Sequence, residues 1–261
     1  MAYETLECER EDGVGTITFD RPDAYNSINT RMGEELPAVA HELASDDAVR
    51  AIAVTSNGPV FNTGADLTEL SADGTDEAHI RSLAAGLHEF VSQLVRAPKP
   101  VAIGVNGVAA GGGLGPSICG DIVLAAESAR FEFAYPRIGL SGDGGSTYLL
   151  PRLVGLRRAQ ELAFRDEPIG AEEAADIGLV TDVVPDDELD ARLSEEASRL
   201  ASGPTKGYAA TKRLLAESFD NPLEAQLANE GETIAELTNT TDFARGHAAF
   251  GGDEPPEFVG E

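Results

Sequence analysis

The amino-acid sequence predicts an α/β layered fold whose last third is entirely helical. Two observations lead to this prediction: short strand-like runs alternate with amphipathic helical stretches over the first two thirds of the chain, and only helical patterns follow. With 261 residues and 42% hydrophobic content, the chain is able to bury one large core. We expect residues 1–202 to form this core and residues 203–261 to form a C-terminal helical region.

Local signals justify each element in order. Residues 3–9 and 15–19 alternate β-forming residues around Asp12-Gly13, which predicts a hairpin. The helix over residues 30–43 has Asn29 or Thr30 as its expected N-cap. The remaining predicted elements are strands at residues 51–56, 101–105, 121–125 and 130–133, and helices at residues 76–95, 144–163, 171–177, 186–202, 205–217, 222–238 and 241–250. The helix over residues 76–95 is expected to bury Leu83, Leu87, Phe90, Val91 and Leu94.

The chain is strongly acidic. Asp and Glu number 46 against 19 Lys and Arg, the formal net charge is −27, and Lys99, Lys206 and Lys212 are the three lysines. An acidic surface repels nucleic acids and anionic membranes, so neither is an expected partner. The acidic residues are spread along the chain and do not form an acidic tail. Acidic residues spread along the chain, together with few lysines, are typical of proteins from salt-accumulating organisms. In such organisms, screening by salt reduces the repulsion between the negative charges. We therefore predict a halophilic protein.

Cysteine and histidine usage predicts neither a disulfide framework nor a metal site. Cys8 and Cys119 are far apart in the sequence and form no CxxC motif, which indicates a reducing compartment. The four histidines lack metal-ligand spacing such as HExxH; they are His41, His79, His88 and His247. The sequence contains no apolar stretch of membrane length and no targeting segment at its start, so a soluble cytoplasmic protein is expected.

A glycine-rich run is the most informative motif. Residues 105–115 read VNGVAAGGGLG and follow an apolar strand-like run. Three successive glycines permit close approach of a ligand, and a helix starting there would present N–H groups to it. The run matches neither GxGxxG nor GxxxxGKS/T, so it predicts no nucleotide-phosphate site. Amide donors directed at a carbonyl oxygen fit the pattern; close helix–strand packing is the alternative explanation.

Two further turns accompany this run and point to a family. Residues 60–67 read VFNTGADL, and residues 135–147 read YPRIGLSGDGGST. With the glycine run, residues 20–26 and residues 174–180, they make the chain resemble the crotonase (enoyl-CoA hydratase/isomerase) superfamily over nearly its whole length. The resemblance implies a crotonase-like spiral of ββα repeats with a C-terminal region that trimerises, commonly into a dimer of trimers. It also implies acyl-CoA thioester substrates and no metal or redox cofactor.

The resemblance also implies the positions of the oxyanion donors. In the family, two backbone amides polarise the thioester carbonyl and stabilise the enolate, and by position these amides belong to Ala65 and Gly112. Preorganised donors of this kind contribute about 3 kcal/mol each. The implied substrate-binding residues are Gly64, Ala65, Asp66, Leu67, Thr68, Gly112 and Tyr135, of which Tyr135 would line the acyl pocket.

The sequence departs from hydratases at both catalytic glutamates. Their positions are occupied by Gly115 and Arg137, so water addition by the usual pair of carboxylates is not expected. Asp143 remains, at a position where crotonase-like isomerases carry the acid that moves a proton between the α and γ carbons. Residues 138–150 most resemble such isomerases, including the ring-epoxide isomerase of phenylacetate degradation. We therefore predict enoyl-CoA isomerisation with Asp143 as general base; the alternative role for Asp143 is to cap the helix that follows.

Three other functions remain open. Hydrolysis resembling that of 4-chlorobenzoyl-CoA dehalogenase would use Asp143 as nucleophile and a helical histidine that His88 matches by spacing, although Tyr135 stands where that enzyme has a tryptophan. Otherwise His88 is expected to be a helix-surface residue. A hydratase with an unusual site and a non-catalytic acyl-CoA-binding homologue are the other two functions. The lysine of a neighbouring subunit that often clamps the nucleotide has no counterpart among residues 213–261, and Arg245 is the one Lys or Arg of the last helix.

Overall fold

Nine strands in two sheets form the framework of the described residues. The computed structural model describes residues 3–252 and 254–261. The strands are β1 (Leu6–Glu11), β2 (Val14–Phe19), β3 (Ala51–Ser56), β4 (Val101–Val105), β5 (Val108–Ala110), β6 (Ile122–Ala126), β7 (Arg130–Glu132), β8 (Ile169–Gly170) and β9 (Asp182–Val184). The larger sheet has the order β1-β2-β3-β4-β6-β9 and is parallel apart from the β1–β2 hairpin. The smaller sheet has the order β5-β7-β8.

The hairpin forms where the sequence predicts it. Asp12 and Gly13 both have positive φ, 47° and 82°, as a tight two-residue loop requires. The strand predicted over residues 3–9 is, however, wrong at both ends. It begins later because the N–H groups of Glu4 and Thr5 donate to the carboxylate of Glu35, at 2.8 and 2.9 Å, and it continues to the turn because the antiparallel pairing extends that far.

Ten helices lie in the described residues, and most of them confirm the predicted positions. They are α1 (Thr30–Ser45), α2 (Glu77–Arg96), α3 (Leu114–Ile118), α4 (Ser146–Leu153), α5 (Gly155–Arg165), α6 (Ala171–Asp176), α7 (Leu189–Ala201), α8 (Thr205–Glu217), α9 (Leu223–Leu237) and α10 (Thr241–Ala249). Asn29 is the N-cap of α1, since its Oδ1 accepts the Met32 N–H at 2.9 Å. The residues that α2 buries are the five that its apolar spacing predicts.

The single helix predicted over residues 144–163 is wrong. The segment forms α4 and α5, which meet at Gly155, whose φ of 77° favours glycine and interrupts the helical hydrogen bonds. Three strands, β5, β8 and β9, were not predicted, because two or three residues are too few to show a period. Residues 186–188 form a 3-10 turn before α7 and are not part of that helix.

The core is built on the parallel strands. All five residues of β4 are buried, as expected for a parallel strand covered on both faces. Helices α1 and α2 pack against each other, and α7 packs on β3 and β4. Buried Lys99 caps the C-terminal end of α1: its Nζ donates hydrogen bonds to the carbonyls of Leu43 and Asp46 at 2.9 and 2.8 Å. No helix among the described residues is long and apolar enough to cross a membrane.

The C-terminal helices are tied to the core by Arg50. Its guanidinium donates to the carbonyls of Gly203 and Phe258 at 2.6 and 3.1 Å, and to the Thr205 hydroxyl at 3.2 Å. Helix α7 ends at Ala201. The division into residues 1–202 and 203–261 stays a prediction, and Met1, Ala2 and Asp253 lie outside the described residues.

Candidate active site

The first turn of the site holds the Ala65 amide. Gly64 has φ of 78°, which favours glycine, and its N–H donates to Oδ1 of Asn62 at 2.8 Å. The Gly64 carbonyl accepts the N–H of Ile28 at 2.7 Å, and the Asp66 N–H donates to the Ile28 carbonyl at 2.9 Å. These bonds fix the peptide group that carries the Ala65 N–H and the peptide groups on either side of it. That N–H itself has no acceptor within residues 3–252 and 254–261.

The glycine run forms the second turn. Gly111–Gly113 make a short 3-10 turn that leads directly into α3. As the second residue of this turn, Gly112 has an N–H without an acceptor inside it. The two turns touch: a Cβ on Gly64 would lie 2.5 Å from the Gly112 nitrogen, so close contact requires glycine there. The structure therefore brings Ala65 and Gly112 together, as the sequence predicts, and the glycines also serve the close packing that was the alternative explanation.

Both turns line one mainly apolar pocket of about 270 Å³. Helix α2 contributes Ile80, Leu83 and Leu87 to its wall. Because a cavity of about 150 Å³ holds a benzene ring, this pocket has room for an aryl or medium-chain acyl group. Among the described residues, Asp143 is the one carboxylate in its lining. The predicted oxyanion donors and the predicted base thus share a single pocket.

A third turn presents Asp143. Gly144 and Gly145 both have positive φ, 59° and 81°, and the Ser146 N–H and hydroxyl donate to the Asp143 carbonyl at 3.1 and 2.8 Å. The carboxylate makes no capping bond to α4, so the helix-cap alternative is wrong. Instead, Oδ1 of Asp143 lies 2.5 Å from Nε2 of His88 on α2.

The contact between His88 and Asp143 is the feature of the site that the residue patterns did not predict. His88 does lie on an exposed helix face, and about half of its side chain is accessible, but its ring reaches the pocket carboxylate. The two residues are 55 positions apart, so periodicity within a helix carries no information about their contact. The one available signal was the spacing match of His88 to the histidine of the dehalogenases.

Tyr135 lies in the pocket wall, and it is 7% exposed. Its hydroxyl is buried without a hydrogen-bond partner of good geometry in the described part of the chain. Burial, and next the negative charge of Asp143, raises the pKa of the Tyr135 hydroxyl, which keeps it neutral. The ring packs edge-on against Phe133, with 5.0 Å between centroids. Tyr135 therefore combines a packing role with a place beside Asp143.

The two positions of the hydratase glutamates are unavailable for water activation. Gly115 lies under the third turn, and a Cβ there would come within 1.6 Å of the Gly144 carbonyl oxygen. The main chain next to Asp143 therefore fills the space that any side chain at position 115 would need. Arg137 lies outside the pocket lining and is paired with Glu132 and Asp166 at 2.6 and 2.7 Å.

The predicted substrate-binding residues divide into two groups. Ala65, Gly112 and Tyr135 line the pocket, whereas Gly64 and residues 66–68 do not. Asp66 is a structural residue, because its carboxylate accepts from the Thr68 hydroxyl at 2.6 Å and pairs with Arg21 at 3.0 Å. Leu67 and Thr68 are exposed at the surface near Ala65.

Comparison with known proteins establishes the class of this chain. The family model for enoyl-CoA hydratase/isomerase matches residues 9–261, and the chain therefore belongs to that family, the crotonase superfamily. It is 40% identical to the "Probable enoyl-CoA hydratase" of Rhodobacter capsulatus, over 100% of both chains. It is 36% identical to 1,2-epoxyphenylacetyl-CoA isomerase of Escherichia coli, over 96% of this chain and 97% of the relative.

Two further comparisons bear on the site and the fold. The chain is 34% identical to 4-chlorobenzoyl coenzyme A dehalogenase-2 of Arthrobacter, over 94% of this chain and 90% of that one. The crystal structure of enoyl-CoA hydratase from Bacillus anthracis matches with a TM-score of 0.92 at 28% identity, covering 99% of this chain and 100% of that one. The predicted crotonase-like α/β fold and the predicted enzyme class are thereby confirmed.

Proposed function

We propose that this protein is an enoyl-CoA isomerase in which Asp143 is the general base and the amides of Ala65 and Gly112 stabilise the enolate. The observation that carries the proposal is the shared pocket. One carboxylate and two amides without a partner in their own turns line the same mainly apolar cavity. A base and an oxyanion hole are sufficient for a reaction that moves one proton along the substrate.

The proposed reaction balances within the substrate. The Asp143 carboxylate removes a proton from the α carbon of a β,γ-enoyl-CoA, and the electron pair of the C–H bond passes into a dienolate. The negative charge on the thioester oxygen is stabilised by the Ala65 and Gly112 amides. Asp143 then returns the proton to the γ carbon, and the double bond lies between the α and β carbons. Nothing is oxidised and no water is added, so the proposal includes no metal or redox cofactor.

The positions of the missing glutamates support isomerisation over hydration. A hydratase needs carboxylates to hold and activate its water, but Gly115 lies under the Gly144 carbonyl. Arg137 is held by two carboxylates at a site outside the pocket lining. A hydratase at this site would have to activate water with Asp143 and His88 alone.

The contact between His88 and Asp143 supports a second candidate. In a dehalogenase-like hydrolysis, the Asp143 carboxylate would attack the ring carbon that carries chlorine and expel chloride, and His88 would activate the water that hydrolyses the resulting aryl ester. The 34% identity to 4-chlorobenzoyl coenzyme A dehalogenase-2 agrees with this alternative. We rank it second because the isomerisation needs no group beyond the base and the two amides.

The proposed substrate is an acyl-CoA thioester with an aryl or medium-chain acyl group. The apolar wall of the pocket and its volume favour such a group, and two relatives are named for acyl-CoA thioesters with a six-membered carbon ring. We assign the exposed residues Leu67 and Thr68 to the cleft for the coenzyme A part, and Gly64 and Asp66 to the turn that shapes this cleft. Arg245 donates to the Glu257 carbonyl at 3.0 Å, so we assign it no role in binding the nucleotide.

We also propose that the protein is a cytoplasmic homotrimer or dimer of trimers. The supporting observation is the apolar surface of the C-terminal helices. Large side chains there are more than half exposed, and they include Leu215, Phe219, Leu223, Leu227 and Ile234. Burial of such a surface between copies would be favourable, and light scattering in high salt measures the resulting mass.

The decisive experiment combines a substrate panel with one substitution. In high salt, the enzyme is assayed with β,γ-enoyl-CoA, α,β-enoyl-CoA and 4-chlorobenzoyl-CoA. We expect isomer product from the first substrate, and Asp143→Asn should lower kcat by about 10²–10⁴-fold. Affinity for a saturated acyl-CoA should remain, because the amide is nearly the same size as the carboxylate. Asp187→Asn, at an exposed carboxylate before α7, is the matched control and should behave as wild type.

The outcomes separate the candidates. Hydroxyacyl product would support the hydratase, and chloride release would support the hydrolase. Tight acyl-CoA binding without any product would support a non-catalytic homologue. Isomerisation that survives Asp143→Asn would remove Asp143 from the mechanism.

A further inference from the structure

Asn62 is the residue that both oxyanion turns contact. It lies in the segment before Gly64, and it is fully buried, with 0% exposure. Its side chain bonds to the turn that holds Ala65, whereas its main chain bonds to the strand that leads to Gly112. Asn62 does not line the pocket, so the proposed chemistry assigns it no role.

The side chain of Asn62 uses both of its polar atoms. Oδ1 accepts the Gly64 N–H at 2.8 Å, and Nδ2 donates to the Asn26 carbonyl at 2.6 Å. The side chain of asparagine has one acceptor atom and one donor atom in a fixed plane, so it satisfies both partners at once. A carboxylate would lack the donor, and an alkyl side chain would leave the Gly64 N–H without its bond.

The main chain of Asn62 holds the second turn. Its carbonyl accepts the Ala110 N–H at 2.9 Å, and its own N–H donates to the Val108 carbonyl at 3.1 Å. The second turn also packs directly on it: a Cβ on Gly113 would lie 2.2 Å from the Asn62 carbonyl oxygen and 2.7 Å from its Oδ1. Movement of Asn62 would therefore be transmitted to both turns.

We propose that Asn62 is a positioning residue that fixes the distance between the Ala65 and Gly112 amides. The inference rests on the proposed function, in which these amides bind the thioester oxygen. Without the side chain, the Gly64 N–H loses its acceptor in a buried place, and the first turn is expected to shift relative to the second. Because a displacement of about 1 Å at a catalytic group lowers a rate by about 10²-fold, the effect should appear in turnover.

The test uses Asn62→Ala and Asn62→Ser, with Asn106→Ala as the matched control. Asn106 also bridges two loops through its side chain, with bonds to the Ser56 and Gly58 carbonyls at 2.9 and 2.8 Å, but it bonds to neither oxyanion turn. We expect both Asn62 variants to lower kcat for β,γ-enoyl-CoA by about 10- to 100-fold with little change in KM. Asn62→Ser is the milder change and decides the result if Asn62→Ala does not fold.

A spectroscopic measurement distinguishes positioning from general destabilisation. A saturated acyl-CoA labelled with ¹³C at the thioester carbonyl binds without reacting, and its carbonyl resonance should move downfield on binding to wild type and to Asn106→Ala. The shift should be smaller in the Asn62 variants. If wild type shows no shift, the oxyanion proposal itself fails. If wild type shows it and the folded Asn62 variants retain both the full shift and the kcat, Asn62 does not position the donors.

Discussion

At the scale of single residues, the carboxylates of this acidic chain have separate tasks. Asp66 follows Ala65, the proposed donor. The pKa of Asp66 is lowered first by the hydrogen bond from the Thr68 hydroxyl and then by Arg21, so its carboxylate stays charged and holds the turn. Asp143 instead lines the pocket, and its carboxylate lies within hydrogen-bond distance of His88. The Asp66 carboxylate, which is held by several bonds, is suited to a structural role. The Asp143 carboxylate, which lines the pocket, is suited to proton transfer.

The contact between His88 and Asp143 leads to a prediction for the proposed isomerase. His88→Ala should lower kcat by about tenfold or more, because hydrogen bonds to charged groups contribute about 1.5–3 kcal/mol and the carboxylate loses its orientation without one. KM should change little, since His88 does not line the pocket. Steady-state kinetics on β,γ-enoyl-CoA measure both constants.

His79→Ala is the control for this prediction. It removes another histidine of α2, whose Nε2 lies 3.3 Å from Glu69 and not beside Asp143. Unchanged kcat in His88→Ala would show that Asp143 needs no partner. Selective loss of chloride release, with isomerisation intact, would favour the hydrolytic candidate.

At the scale of elements, three glycine-containing turns from distant parts of the chain define the site. The turn at Gly64 touches the turn at Gly112, and the turn at Gly144 covers Gly115 at the start of α3. The relevant contacts are between main-chain atoms, so the spacing of the turns depends on the absence of side chains. The site is consequently more rigid than three independent loops would be.

The packing of Gly144 on Gly115 leads to a prediction for the stability of a variant with a methyl side chain at position 115. Gly115→Ala should reduce the free energy of unfolding by at least about 2 kcal/mol, because overpacking against main chain forces a backbone shift. Denaturant unfolding of the purified protein measures the change. Activity should fall as well, since the shifted turn carries Asp143.

The control for this substitution is Gly170→Ala at the exposed end of β8. No heavy atom lies within 4 Å of the added Cβ, and φ at Gly170 is −81°, so the free energy of unfolding should change by no more than about 0.5 kcal/mol. Wild-type stability in Gly115→Ala would contradict the close packing of the two turns.

At the scale of the whole molecule, net charge opposes compactness. With a formal net charge of −27, the folded chain holds its like charges closer together than the unfolded chain does. The sequence therefore predicts a protein whose stability depends on salt. The ion pairs of the site, such as that between Arg21 and Asp66, are partly buried, and salt weakens such pairs less than exposed ones.

Thermal unfolding at low and high KCl concentrations tests whether the stability of the protein depends on salt. Because the screening length falls from about 10 Å at 0.1 M to about 3 Å at 1 M, we expect Tm to rise by about 5 °C or more, equivalent to about 2 kcal/mol. An uncharged osmolyte at matched osmolality is the control for general solvent effects. Equal Tm values in low and high KCl would contradict the prediction of a halophilic protein.

Sequence patterns predict those parts of the molecule that depend on local chemistry. The apolar period of α2, the Asn29 cap and the loop at Asp12-Gly13 are all local, and the structure confirms them. The break at Gly155 was not predicted, because glycine is also tolerated inside helices and its positive φ depends on the packing of α4 and α5. The contact of His88 with Asp143 was not predicted for a similar reason, since it depends on how two remote elements meet.

The carbonyl of Gly144 above Gly115 also has an evolutionary consequence. A glutamate introduced at position 115 has no space until the turn carrying Asp143 moves, and moving that turn displaces the carboxylate that we propose as the base. Substitutions in the two turns are therefore epistatic: whether a substitution in one turn is harmful or neutral depends on the sequence of the other turn. We therefore expect that conversion between a one-carboxylate and a two-carboxylate site requires changes in both turns together.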